Sequence, residues 1–93
     1  MTQFKTTASL TAQNTFSDAV KVHGEFNLSL SGTWAATVFV QRSYDDGSTW
    51  LDVESYTANT EQVGSSPEED VLVRFGVKTG GYTSGTIVGR ISL

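Results

Sequence analysis

The sequence contains no cysteine, one proline, one histidine and six basic residues. Without cysteine there is neither a disulfide framework nor a thiolate metal site, so any fold must rest on noncovalent packing. Lys5, Lys21, Arg42, Arg74, Lys78 and Arg90 are scattered singly among ten acidic residues, for a formal net charge of -4. A chain with no basic cluster is poorly suited to a phosphate backbone, which argues against nucleic acid as a partner. No apolar run approaches the ~20 residues of a membrane-spanning helix, so no membrane partner is expected. Met1 to Lys5 lack the apolar region of a signal peptide. The expected location is therefore the cytoplasm, or a particle assembled there.

What is present is alternation. Phe26, Leu28 and Leu30 alternate with Asn27, Ser29 and Ser31. Val71, Val73, Phe75 and Val77 alternate with Leu72, Arg74, Gly76 and Lys78, and Ile87, Gly89 and Ile91 with Val88, Arg90 and Ser92. A period of two predicts strands with one face toward a core. Lys5 to Leu10 and Ala19 to His23 are further strand candidates, and no window carries an apolar helical stripe. Turn signals fall at Ser31-Gly32-Thr33, at Asp46-Gly47, along Val63 to Asp70 as the longest loop, and at Thr79 to Gly85. The expectation is an all-β fold: one compact antiparallel β-sandwich or jelly roll of about seven to eight strands. With 93 residues, no internal repeat and no linker, residues 1–93 form a single domain. Its core is small, and assembly with partners would add stability.

Ser43 to Trp50 reads S-x-D-x-G-x-T-W between a strand predicted over Trp34 to Arg42 and one over Thr49 to Tyr56. Asp-Gly is a strong hairpin signal, and Gly47 supplies a positive φ without steric cost. Asp45 is placed to accept backbone N–H groups just ahead of it, and Trp50 to fold over the turn. Asp45, Gly47 and Trp50 are thus assigned as turn-structuring residues. The spacing resembles the Asp-box, a hairpin motif of sialidases and other β-propeller proteins, which shapes a turn and carries no catalysis. One copy in 93 residues is too little for even four blades of ~40 residues each. Calcium at Asp45 and Asp46 would need several more converging oxygen ligands than this stretch supplies.

No constellation points to an enzyme. A general acid/base pair needs two carboxylates in one cleft, whereas the acidic residues cluster at Glu68-Glu69-Asp70 beside Pro67. His23 has no partners with metal-ligand spacing, and no G-x-S-x-G elbow is present. Gly80 to Gly85 lacks the lysine and the following helix of a phosphate loop. The expectation is no enzyme, no metal and no cofactor. Tyr44, Tyr56 and Tyr82 fall near loops, where aromatics serve protein interfaces or sugar stacking. With Glu68, Glu69 and Asp70, they are the candidate interface. Apolar Val38 and Phe39 in succession suggest that both faces of their strand are covered.

Three phrases together, Gly24-Glu25-Phe26-Asn27-Leu28-Ser29-Leu30-Ser31-Gly32-Thr33-Trp34, Val38 to Ser43 with the hairpin through Trp50, and Arg74 to Gly80 followed by Gly85-Thr86-Ile87, resemble small virion proteins of tailed bacteriophages. The resemblance implies a structural β-sandwich of the virion. It is most simply a capsid decoration or cement protein that bridges capsomers, with the major capsid protein or other virion proteins as partners. A homo-oligomer is expected, a trimer being favoured. The alternatives are a carbohydrate- or receptor-binding module, or an adaptor component, of the phage tail.

Overall fold

The computed structural model describes residues 5–92, excluding the side chains of Lys5, His23 and residues 65–70. Seven strands are present: β1 (Lys5–Leu10), β2 (Thr15–Phe16), β3 (Val20–Ala36), β4 (Val38–Ser43), β5 (Leu51–Tyr56), β6 (Thr60–Val77) and β7 (Tyr82–Ser92). All pairings are antiparallel, in the order β1-β7-β3-β6-β4-β5, with β2 also on β6. The protein is all-β, and the hydrogen-bonded array folds back on itself into two packed layers.

The fold-back lies in the two longest strands. Val22 pairs with Val71, but Gly24 pairs with Ser66, so residues 67–70 of β6 stand opposite His23 alone. Gly24 carries φ 87° at this bend, a conformation open to glycine. The extra residues also switch the parity of β6. Gly64 and Gln62 share a face with Phe26 and Leu28 before the bend, whereas Val71, Val73, Phe75 and Val77 are buried after it. Val63 is consequently turned outward and 66% exposed. One layer holds β1, β7, residues 24–36 of β3 and residues 60–66 of β6. The other holds β5, β4, residues 71–77 of β6, and β2 with residues 20–22 of β3. Divided at the bend, β3 and β6 each count twice, giving nine strand segments where the sequence suggests seven or eight.

Three sequence expectations are corrected. Ser31-Gly32-Thr33 is not a turn but lies inside β3, paired with β7 from Val88 to Thr86. The strand predicted over Trp34 to Arg42 is broken at Thr37, where the chain passes between layers and the Thr37 N–H bonds the Gly81 carbonyl at 2.8 Å. Val63 to Asp70 is not a loop between strands; its backbone belongs to β6 and contains the bend. Gly32 sits in unbroken register with β7 and residues 63–70 contain a bend, and local composition distinguishes neither from a reversal.

The core lies between the layers. Leu10, Leu28, Leu30, Ile87 and Ile91 come from one, and Val20, Val22, Val38, Val40, Val71, Val73, Phe75 and Val77 from the other. Phe75 is fully buried, and its ring lies so close to Gly89 that a Cβ there would overlap it. Buried Ser17 fastens the same residue from the side: its N–H bonds the Phe75 carbonyl at 2.8 Å, and its hydroxyl accepts the Phe75 N–H at 3.1 Å. Gly89→Ala is expected to cost about 1–3 kcal/mol through overpacking. Combining it with Phe75→Leu should cost less than the sum of the two single changes, because both act on one contact. Urea unfolding of the four proteins in this cycle measures the coupling, which additivity would refute.

Candidate functional site

The hairpin between β4 and β5 is organised by two short side chains. Fully buried Ser43 donates its hydroxyl to Asp45 Oδ1 at 2.7 Å and accepts the Gly47 N–H at 2.9 Å. Asp45 Oδ1 also accepts the Thr49 N–H at 2.8 Å. Asp46 and Gly47 have φ of 61° and 95°, so the reversal uses two successive left-handed residues. The hydrogen bond from Ser43, followed by that from Thr49, holds the Asp45 carboxyl below its ordinary pKa. All these donors belong to the turn itself, which makes Asp45 a structural acceptor.

Beside the turn, the outer face of the second layer carries a row of aromatic rings and cations. Gly76 pairs with Phe16 on one side and Phe39 on the other. The Phe16 ring covers Gly76 so closely that a Cβ there would overlap it. Arg74 and Lys78 flank Gly76 on the same face, as the two-residue period requires. The Arg74 guanidinium lies between Phe16 and Trp50, 4.1 Å from each ring centre, and the Lys78 ammonium stands 4.6 Å from that of Phe39. Each such contact contributes about 0.5–1 kcal/mol when exposed and more when desolvated. The outer face of β4 is thus covered by the protein's own cations.

A hydrogen-bonded chain crosses the same face. Arg74 Nε donates to Gln41 Oε1 at 3.0 Å, Gln41 Nε2 donates to Asp52 Oδ1 at 2.8 Å, and Lys78 Nζ meets Asp52 Oδ2 at 2.6 Å. Strand register explains it, since Gln41 pairs with both Arg74 and Asp52. The Lys78 hydrogen bond, then that of Gln41, lowers the Asp52 pKa. Burial alone lowers that of Arg74.

The candidate interface residues do not gather in one place. Tyr44 is 48% exposed, with the Arg42 guanidinium 5.1 Å from its ring centre. Tyr56 and Tyr82 pack against the core, and the Tyr82 hydroxyl bonds the Gly85 carbonyl at 2.7 Å. Burial first, and Glu54 second, raises the Tyr56 pKa. The side chains of Glu68, Glu69 and Asp70, like that of His23, lie outside the described residues. Sequence reading missed Phe16, Gln41, Asp52, Arg74 and Lys78 as a group. The available signal was Arg74, a lone cation within the apolar run Val71 to Val77.

Two depressions lie among the described residues. One, of about 290 Å³, is of mixed polarity and lies on the outer face of the first layer, lined by Asn27, Ser29, Glu61, Val63, Arg90 and Ser92 among others. The other, of about 200 Å³, opens between the layers on the flank where β5 and residues 60–66 of β6 face each other as unpaired edges. Phe26, Val40, Val53, Tyr56, Val63 and Glu54 help line it, with Val53 50% and Val63 66% exposed. Comparison with protein-family models, with curated proteins and with solved structures finds no match for the chain.

Ser43→Ala is expected to cost about 1–3 kcal/mol, because it strips the part-buried Gly47 N–H of its acceptor. Asp45 has a folded-state pKa below its unfolded value of about 3.8. Its contribution is therefore present above that value and is lost as pH falls through the lower folded value. Asp45→Asn should flatten this part of the acid dependence of stability while leaving its shape near neutral pH unchanged. Unfolding midpoints measured from pH 7 to pH 2 test the sign, and an unaltered acid limb would refute it.

Proposed function

We propose that this chain is a structural protein of a tailed-phage particle, a decoration or cement protein that stabilises the head by bridging capsomers and catalyses no reaction. The observation that carries the proposal is the open flank. Two unpaired strand edges face each other across an apolar depression, with Val53 and Val63 at least half exposed on its lining. An unpaired edge offers backbone donors and acceptors to another chain, and exposed apolar side chains offer area to bury. The sequence phrases that resemble small virion proteins support the choice of particle, with the major capsid protein or other virion proteins as the proposed partners. Self-association into a ring, a trimer being favoured, would set the same flank at several capsomer junctions.

Purified protein added to expanded capsids lacking it should co-sediment with them and raise their disruption temperature. Val63→Lys should keep the fold and weaken capsid binding by about tenfold, as expected for loss of roughly 1.4 kcal/mol at an apolar contact. Protein that neither binds nor stabilises capsids would overturn the proposal. A second reading, a carbohydrate- or receptor-binding module of the tail, draws on half-exposed Tyr44 beside the hairpin. Glycan-array binding abolished by Tyr44→Ala would favour it.

A further inference from the structure

Arg74 is held with unusual rigidity for a surface arginine. Two rings flank its guanidinium, each with its centre 4.1 Å away, and Gln41 holds it through Nε. Gln41 is only 5% exposed and is itself anchored by Asp52, which Lys78 anchors in turn. The Phe16 side of the clamp is set by Gly76, whose missing Cβ lets the ring lie flat on the strand. The side chain has therefore already given up the rotamer freedom that an arginine normally loses on binding.

Its charge, in contrast, meets no carboxylate among the described residues. The only hydrogen-bond partner of Arg74 among the described residues is the neutral amide of Gln41. The carboxylate next in line, Asp52, is engaged by Lys78 and Gln41. Arg74, Asp52 and Lys78 together leave one positive charge in excess. Burial opposes the charged form of Arg74, and a partly desolvated ion gains most from a directly bonded counter-ion. The two terminal nitrogens carry four N–H groups in the fork geometry that matches a carboxylate.

We propose that Arg74 is a preorganised carboxylate-binding site, and that its occupant is an Asp or Glu side chain of a partner protein. The surroundings favour a protein carboxylate over an acidic sugar. The fork sits on an open sheet face rather than in a concavity with several convergent polar groups, as a sugar site requires. The edges of Phe16 and Trp50 would pack on the methylene stem of the incoming side chain. This face is separate from the open flank, and the inference does not depend on which particle, if any, the chain joins.

The test is an NMR titration of the full chain with N-acetyl-glutamate amide, observing the Nε–H signals of Arg74 and Arg90 and the indole N–H of Trp50. Arg90 is the control because it is solvent-exposed and outside the stack. Shifts at Arg74 and Trp50 should reach half-saturation at about tenfold lower concentration than those at Arg90, reflecting the preorganised fork. The neutral N-acetyl-glutamine amide should leave them unmoved. Arg74→Gln should abolish the Trp50 response. Arg74→Lys, which retains charge without the fork, should weaken it, and would carry the test alone if circular dichroism showed Arg74→Gln to be unfolded. Equal responses at Arg74 and Arg90, or equal effects of the two amides, would overturn the proposal. Shifts with N-acetylneuraminate but none with the glutamate amide would overturn the protein occupant.

Discussion

The contact on which the two layers depend is that of the Phe75 ring with the bare backbone of Gly89. It is where a side chain of one layer reaches the main chain of the other. Layers of a sandwich ordinarily stand about 10 Å apart, separated by interdigitated side chains from both. A glycine opposite a phenylalanine lets a single large ring occupy space otherwise shared by two side chains. Val and Ile then fill the margins, and Ser17, the residue after β2, satisfies the backbone of Phe75. A chain of this size has little core to spare, so one close-packed ring weighs heavily in its stability.

The bend in β3 and β6 explains where the protein is closed and where it is open. Because the same two strands serve both layers, the fold gains continuity there without a linking loop. On the opposite side of the second layer, β5 projects as an edge with five of its six residues exposed. The parity switch in β6 turns Val63 outward, at a rim shared by both depressions. The exposure of Val63 therefore follows from a register shift made elsewhere in the same strand.

The outer face of the second layer follows a different logic. Aromatic rings lying on that face would be an aggregation hazard if left bare. Here each carries a cation, and the cations are spaced by the strand period around a glycine that admits Phe16. Lys78 has its counter-charge in Asp52. Arg74 has an amide instead, and this asymmetry within one row singles it out from an ordinary protective ladder.

Alternation of Val, Ile, Leu and Phe determined by itself that the chain is all-β, because a strand's side-chain period is carried by the residues directly. The hairpin was equally legible, since Ser43, Asp45, Gly47 and Thr49 interact within seven residues of one another. Turn composition misled at Gly32 and at Val63 to Asp70. A glycine within a long strand and a reversal between two short ones look alike until pairing partners are known. Only the tertiary structure decided that β3 and β6 each span both layers and that Phe75 meets Gly89. It alone brought Phe16, Gln41, Trp50, Asp52 and Arg74 together, residues up to 58 positions apart in the chain. These groupings depend on strand order and register, and no local pattern encodes which strand lies beside which.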